Sequence, residues 1–428
     1  MNIAMFTNTY TPHVGGVAHS VGGLVAGLRK RGHRVLVVAP EFPGMPREEE
    51  GVVRIAALQR FGGSDFSVPL PVPGTLDDLL DGFHPDIVHS HHPFLLGDTA
   101  HRVSASWGIP IIYTFHTRYD LYGHYVVQDS EVLRRLVRSL ATGYCNMCDA
   151  VIAPSASIAY YLHGNGVSAP VSVIPTGVDT ALLASGDAVR GRLAAAIPRD
   201  VPVVGHVGRL AQEKNLEFLA GAIAACLRQA PERHALIVGD GPMRGVMQDV
   251  FDRSGVAPRV CFTGVLTGDA LCDAYAAMDV FAFSSFSETQ GLVLAEAMAS
   301  GTPVVALDAP GVREVVDDAR NGRLLAPAVE TGAFAGALAE LLDLDSAART
   351  HFAAAAKETA EQFSMDRSHD RIVALYQSAR NQELQGKVSD DSAWRVAKRS
   401  IERELDIIGN IAHAVGAAVL VPSGTDNG

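Results

Sequence analysis

The sequence predicts an α/β protein built from two doubly wound parallel sheets. Three observations carry the prediction. Short apolar runs alternate with amphipathic helical patterns through the first half of the chain, and the same alternation restarts near residue 201. The length, 428 residues, suits two or three domains at about 100–200 residues each. Strands that alternate with helices form a parallel sheet with both faces covered.

The elements follow in order. Residues 2–7 read as the first strand, and a loop with Gly15 and Gly16 comes after it. Val21, Leu24, Val25 and Leu28 then recur at helical spacing, and Gly32 ends that helix. Residues 34–40, 86–89, 109–115 and 150–153 supply further strands. In the second series, strands fall at 201–207, 234–239, 260–263, 280–283 and 303–307, with a helix near 216–230. The join lies near 174–179. The expected organisation is a first domain over 1–175 and a second over 176–365. A crossover helix over 366–382 returns to the first domain, and a linker and amphipathic tail occupy 383–428. Ligands of doubly wound folds bind at the carboxyl ends of the strands, so a cleft between two such domains is the default active site.

The tail admits two readings. Residues 394–405 are amphipathic and carry Arg395, Lys398, Arg399 and Arg403, and residues 407–421 are mostly apolar. This is a surface helix lying on a membrane, or a helix packed on the protein or on a dimer partner.

Composition removes several classes. Hydrophobic residues make up 48% and charged residues 19%, which excludes disorder as the main state. The net charge is −12, from 35 Lys+Arg against 47 Asp+Glu, so the basic footprint of a general nucleic-acid binder is missing. No apolar stretch reaches the roughly 20 residues of a spanning helix. The first residues have no charged leader or cleavage site and read as a strand. The five cysteines are odd in number and sparse, so no disulfide framework is expected. Cys145 and Cys148 have no second pair at zinc spacing and read as buried helical thiols of a protein in a reducing cytosol.

Several residues are placed to carry chemistry. Gly15 and Gly16 stand between a strand and a helix, where backbone amides can approach a phosphate or sugar. The pair also fits an ordinary tight turn, and no dinucleotide fingerprint is present. Arg209 and Lys214 leave the carboxyl end of the first strand of the second series. Two cations there suit a diphosphate, although a solvated charged loop has the same pattern. Glu288 and Glu296 lie eight residues apart, and Gly291 between them opens a helix whose first amides, at Gly291, Leu292 and Val293, can face an anion. One carboxylate suits ribose hydroxyls and the other a sugar. His116 ends the run Ile-Ile-Tyr-Thr-Phe-His and is equally a cleft residue or a structural one. His89, His91 and His92 cluster nearby without a carboxylate or cysteine at ligand spacing, so no metal site is assigned.

Together these stretches resemble the retaining glycosyltransferases of the GT-B fold, the group 1 or family 4 type, over about residues 1–380. The motifs are the glycine loop, the Phe-His-Thr strand end, Gly-Arg-x-x-x-Glu-Lys-Asn at 208–215 and the pair Glu288 and Glu296. The resemblance implies two Rossmann-like domains facing across a cleft. It implies that Arg209 and Lys214 hold a donor diphosphate, that Glu296 binds the ribose and that Glu288 binds the transferring sugar. It also implies that His116 contacts that sugar and that Gly16 passes close to the diphosphate. Relatives of this fold generally stabilise the leaving diphosphate with cations and helix amides, so no cofactor or metal is expected beyond the nucleotide-sugar donor, a UDP-sugar first. Retention implies attack from the leaving group's own face, with no protein nucleophile required.

A narrower resemblance is to bacterial diacylglycerol glucosyltransferases. It rests on Thr-Phe-His-Thr-Arg-Tyr at 114–119 continuing through Tyr122 and Tyr125, and on Ser-Glu-Thr-Gln-Gly at 287–291, where many relatives have Phe in place of Gln290. It implies transfer of a hexose, glucose first, onto diacylglycerol. The alternatives are a polysaccharide, polyprenyl-linked glycan or phosphatidylinositol acceptor, and, less favoured, a sugar-nucleotide epimerase on the same fold. Tyr119, Tyr122 and Tyr125 are amphipathic rings suited to a membrane surface, or to a core. The following helix carries Arg134, Arg135 and Arg138 among apolar residues and suits an anionic leaflet. The expected location is therefore the inner face of the cytoplasmic membrane, peripherally bound.

Overall fold

A computed structural model describes residues 1–13, 15–46, 49–58, 68–69, 75–118, 131–386 and 393–419. The chain divides into two compact units, one of residues 1–175 and 368–428, the other of residues 176–367.

The strands of the first unit are β1 (Asn2–Phe6), β2 (Arg34–Pro40), β3 (Val52–Ile55), β4 (Ala57–Leu58), β5 (Val68–Pro69), β6 (Ile87–Ser90), β7 (Ile111–Thr114), β8 (Ala150–Ala153) and β9 (Val171–Val173). Seven of them form one parallel sheet in the order β3-β2-β1-β6-β7-β8-β9, while β4 and β5 make a short antiparallel ribbon. The second unit contains β10 (Val203–Val207), β11 (His234–Val238), β12 (Val260–Gly264), β13 (Val280–Phe283), β14 (Val304–Leu307) and β15 (Gly322–Leu325). These form a parallel sheet in the order β12-β11-β10-β13-β14-β15.

Period-2 alternation explains why both sheets are covered on two sides. In β1, Ile3 and Met5 enter one core cluster while Ala4 and Phe6 enter the cluster on the other face. In β10, Val203 and Val207 face one core and Val204 the other. All of these side chains are buried. In each sheet the strand order reverses once, between β1 and β6 and between β10 and β13. Loops diverge to opposite faces at such a point and leave a crevice beyond the carboxyl ends.

Residues 383–386, expected to open a linker, are helical instead. One helix runs over Met365–Gly386, because Ile372, Tyr376 and Ala379 recur on one face and join the first unit's core. Residues 387–392 lie outside the described residues.

The tail is one helix, Ala393–Val419, and of its two readings the packed one describes its inner face. Ile407, Ala414 and Ala418 are buried. Asn410 Nδ2 donates to the Leu140 carbonyl at 3.1 Å, and an Arg403 guanidinium nitrogen donates to the Met147 carbonyl at 3.0 Å. A Cβ on Gly143 would lie 1.8 Å from Asn410 Oδ1, so the helix seats only where residue 143 has no side chain. Among the described residues no helix is long and apolar enough to cross a membrane.

Candidate active site

The reversal between β10 and β13 brings two distant loops together. The strands pair directly, Val204 with Val280 and Gly205 with Phe281. The loop after β10 ends in a 3-10 turn, Gln212–Lys214, and Asn215 takes a left-handed conformation at φ 56°. Ser284, the first residue after β13, donates from its hydroxyl to the carbonyls of Lys214 and Asn215, both at 3.0 Å. Ser287 Oγ donates to the Glu213 carbonyl at 3.3 Å.

Within that frame, Lys214 Nζ donates to Glu288 Oε1 at 2.6 Å. Both side chains are largely buried, 19% and 16% exposed. Arg209 Nη2 donates to Glu213 Oε1 at 2.5 Å, and its side chain stays half exposed. Sequence reasoning assigned Glu213 no role. No local spacing rule marks it: residues 209–213 run from a loop into the 3-10 turn, and the folded loop brings the two side chains together.

Glu288's loop is held from beneath. The buried Gln290 side chain accepts from the Thr176 N–H at 2.6 Å and donates to the Thr176 carbonyl at 2.8 Å. It thus pairs with both backbone polar groups of one residue, the N–H and the C=O of Thr176. Gly311, at φ 78°, lies against the same turn, where a Cβ would stand 2.9 Å from Gln290 N and 3.1 Å from Glu288 Cβ. Gly291, at φ 68°, then caps the helix Leu292–Ala299. The first amides of that helix have no intrahelical acceptor and form its positive end.

Glu296 sits on this helix and accepts at Oε2 from the Tyr275 hydroxyl at 2.6 Å. Burial, with the nearby Glu296 charge adding to it, pushes the Tyr275 pKa well above its ordinary value. Tyr275 therefore remains a donor and fixes the carboxylate. The loops and helix that follow β10 and β13 thus carry a cation, a half-exposed guanidinium, a positive helix end and an oriented carboxylate. That combination can bind an anionic diphosphate and the hydroxyls of a diol.

In the first unit, the reversal between β1 and β6 gathers histidines. His116 follows β7, and its Nε2 lies 3.0 Å from His91 Nδ1. His116 keeps partial contact with solvent, yet dense packing around the ring pushes its pKa down to about 4. His89 bridges Thr114 Oγ1 at 2.7 Å and the Tyr376 hydroxyl at 2.5 Å. His92 Nδ1 accepts from the Asn8 N–H at 3.0 Å. The cluster is therefore a hydrogen-bonded network beside His116, and His91 is a partner that sequence reasoning did not pair with it. Among the described residues, no group of three or more His, Cys, Asp or Glu side chains is arranged to hold a metal ion. Gly15 is the N-cap of the helix Gly16–Lys30 in extended conformation, and space is open where a Gly16 Cβ would stand.

Of the residues expected at the acceptor or membrane, Tyr119, Tyr122 and Tyr125 lie outside the described residues. Arg134 and Arg135 pair with Glu131 at 3.1 and 3.2 Å on the helix Glu131–Asn146. Arg135 and Arg138 also line a groove of about 620 Å³, shared with Ser139, Asn146, Asn410 and His413. All five cysteines are free thiols; Cys145, Cys148, Cys226 and Cys272 are buried.

Two doubly wound units, with an Arg/Lys loop and a carboxylate-bearing helix end at the reversal point of the second, define a glycosyltransferase of the GT-B fold. The chain belongs to the family: residues 14–182 match the model Glycosyltransferase Family 4, and residues 201–344 match Glycosyl transferases group 1. It is 35% identical over 340 residues to a GDP-mannose-dependent alpha-mannosyltransferase of Mycolicibacterium smegmatis, covering 76% of this chain and 84% of that protein. It is 29% identical over 332 residues to the alpha-monoglucosyldiacylglycerol synthase of Streptococcus pneumoniae, covering 76% and 75%. In fold it is similar to Anabaena Alr3699/HepE in complex with UDP-glucose, with a TM-score of 0.68, 22% identity, and coverage of 88% of this chain and 99% of that one. The protein is a hexosyltransferase that uses a nucleotide-sugar donor.

Proposed function

We propose that this enzyme transfers glucose from UDP-glucose, with retention, to diacylglycerol at an anionic membrane surface, making a monoglucosyl diacylglycerol. The observation that carries the donor half is the Lys214–Glu288 pair beside the amide end of Leu292–Ala299. Lys214 and Arg209 take the diphosphate, and the helix amides at Gly291, Leu292 and Val293 share its developing charge as the bond to the sugar breaks. Glu296, held by Tyr275, takes the ribose hydroxyls. Glu288 is positioned by Lys214 for hydroxyls of the sugar, and the backbone at Gly15 and Gly16, with open space at Gly16, approaches the diphosphate. His116, neutral at physiological pH, offers the sugar a neutral hydrogen-bonding ring. The acceptor hydroxyl attacks on the face the diphosphate leaves, and a diphosphate oxygen takes its proton.

The lipid half rests on similarity to a synthase of that product, and on the Thr-Phe-His-Thr-Arg-Tyr stretch. The mannosyltransferase relative supports a second reading, GDP-mannose as donor. A donor-by-acceptor assay separates them: UDP-glucose, UDP-galactose, UDP-glucuronate and GDP-mannose are each offered with diacylglycerol in anionic liposomes, and the lipid product is weighed by mass spectrometry. A glucosyl lipid from UDP-glucose is expected. A mannosylated product, or donor turnover only with a glycan acceptor, would replace this reading.

A further inference from the structure

The C-terminal helix Ala393–Val419 buries one face and leaves the opposite face bare. Ile401, Leu405, Ile408, Ile411 and Val415 are 59%, 63%, 60%, 50% and 51% exposed. No other described element exposes more than two large apolar side chains. At about 100° per residue the five form one stripe, some 120° wide and about 21 Å long.

The spacing of the stripe is symmetric. Relative to Ile408, the other members stand three and seven residues before it and three and seven after. A two-fold interface requires such a pattern, because residue i of one copy meets residue j of the other and j meets i. We infer that this stripe pairs, antiparallel, with the same helix of a second copy of the chain. Ile408 meets itself on the axis, Ile401 meets Val415, and Leu405 meets Ile411.

The charges favour this occupant. Lys398, Arg399, Glu402, Arg403, Glu404 and Asp406 all precede Ile407, and from Ile407 to Val419 the only titratable residue is His413. Antiparallel pairing lays the charged half of each helix against the uncharged half of the other. It also opposes the helix dipoles. A parallel pair would set Glu402 against Glu402. A helix built to lie on a membrane carries Lys and Arg along its polar face. Here the exposed margin alternates in sign instead, with Lys398 bridged to Glu402 at 3.7 Å and Glu404 bridged to Arg102. A seam of this length is at the small end of specific interfaces, so the dimer is concentration-dependent.

Light scattering across a dilution series of the full chain tests the inference, together with cross-linking by a short bis-maleimide. Wild-type mass should approach double the 45.3 kDa monomer at high concentration, and Ile408→Glu should stay monomeric with unchanged circular dichroism. Ile408→Cys should cross-link to itself above the wild-type background of its native thiols. Ile401→Cys alone should not, but mixed with Val415→Cys it should. A monomer at every concentration, a dimer indifferent to Ile408→Glu, or self-linking of Ile401→Cys as efficient as that of Ile408→Cys would overturn it. So would loss of flotation on vesicles of phosphatidylglycerol and phosphatidylcholine in Ile408→Glu without a change in mass, which would make the stripe a membrane face.

Discussion

Lys214 Nζ and Glu288 Oε1 stand 2.6 Å apart although 74 residues separate them in sequence. The adjacency of β10 and β13 produces the contact, and the Ser284 hydroxyl on the carbonyls of residues 214 and 215 sets its geometry. The two charges pair in a largely buried setting, so removing one alters the other.

This pairing predicts non-additive kinetics. Lys214→Ala and Glu288→Ala should each lower kcat by about 10²–10³-fold, the usual effect of removing one stabilising group. The double variant should lose less than the product of the two factors, as residues acting as a unit do. Steady-state kinetics with thermal melts to check folding would measure this; a near-normal kcat in either variant removes that residue from its role.

Gln290 should act through the loop it anchors. Gln290→Ala strips the partner from both the N–H and the C=O of Thr176 and should cost about 1–3 kcal/mol of stability. Donor KM should rise as Glu288's turn loosens, while Gln290→Glu, which keeps the shape and the acceptor but not the amide donor, should fall between. Denaturant melts with donor titrations would check it, and an unchanged donor KM in Gln290→Ala would separate the anchor from the site.

The histidine network predicts acid lability of the first unit. Burial pushes His89 and His92 down to about 3, with the His116 charge adding, and His116 down to about 4, against an unfolded value near 6.5. Below 6.5 the unfolded chain binds more protons than the folded one, so stability rises with pH through this window. It is fully present above about pH 6.5 and is lost as pH falls toward the folded values. Melting temperature should fall between pH 6.5 and 4.5, and less steeply in His89→Gln. Equal slopes for the two proteins would contradict this assignment.

Membrane attraction by the Glu131–Asn146 helix is tested by charge reversal. Arg134→Glu, Arg135→Glu and Arg138→Glu together should weaken flotation on anionic liposomes, at roughly 1 kcal/mol per basic residue near the surface. Unchanged flotation would take this helix out of the account.

The buried parallel strands were legible because both faces are covered, so β1, β2, β7, β11 and β13 read as near-continuous apolar runs, and β10 does so but for His206. The edge strands β3, β9 and β15 were not, being three or four residues long and partly exposed. The helix Met365–Gly386 outran its expected end because the apolar residues that join its core, Ile372, Tyr376 and Ala379, stop short of residue 383. Arg209, Lys214, Glu288 and Glu296 stood out by type and position, but the pairing of Lys214 with Glu288 and the partners Glu213 and Tyr275 did not. Tyr275 reaches Glu296 across 21 residues and Gln290 reaches Thr176 across 114. Such contacts follow from sheet order, which local spacing does not encode.

The central claim is retaining transfer of glucose to diacylglycerol, and the most direct measurement is the anomeric configuration of the lipid formed from UDP-glucose and diacylglycerol in anionic liposomes, read by NMR. The account predicts an α-linked monoglucosyl diacylglycerol. A β-linked product, or UDP-glucose turnover that leaves diacylglycerol unmodified, would contradict it.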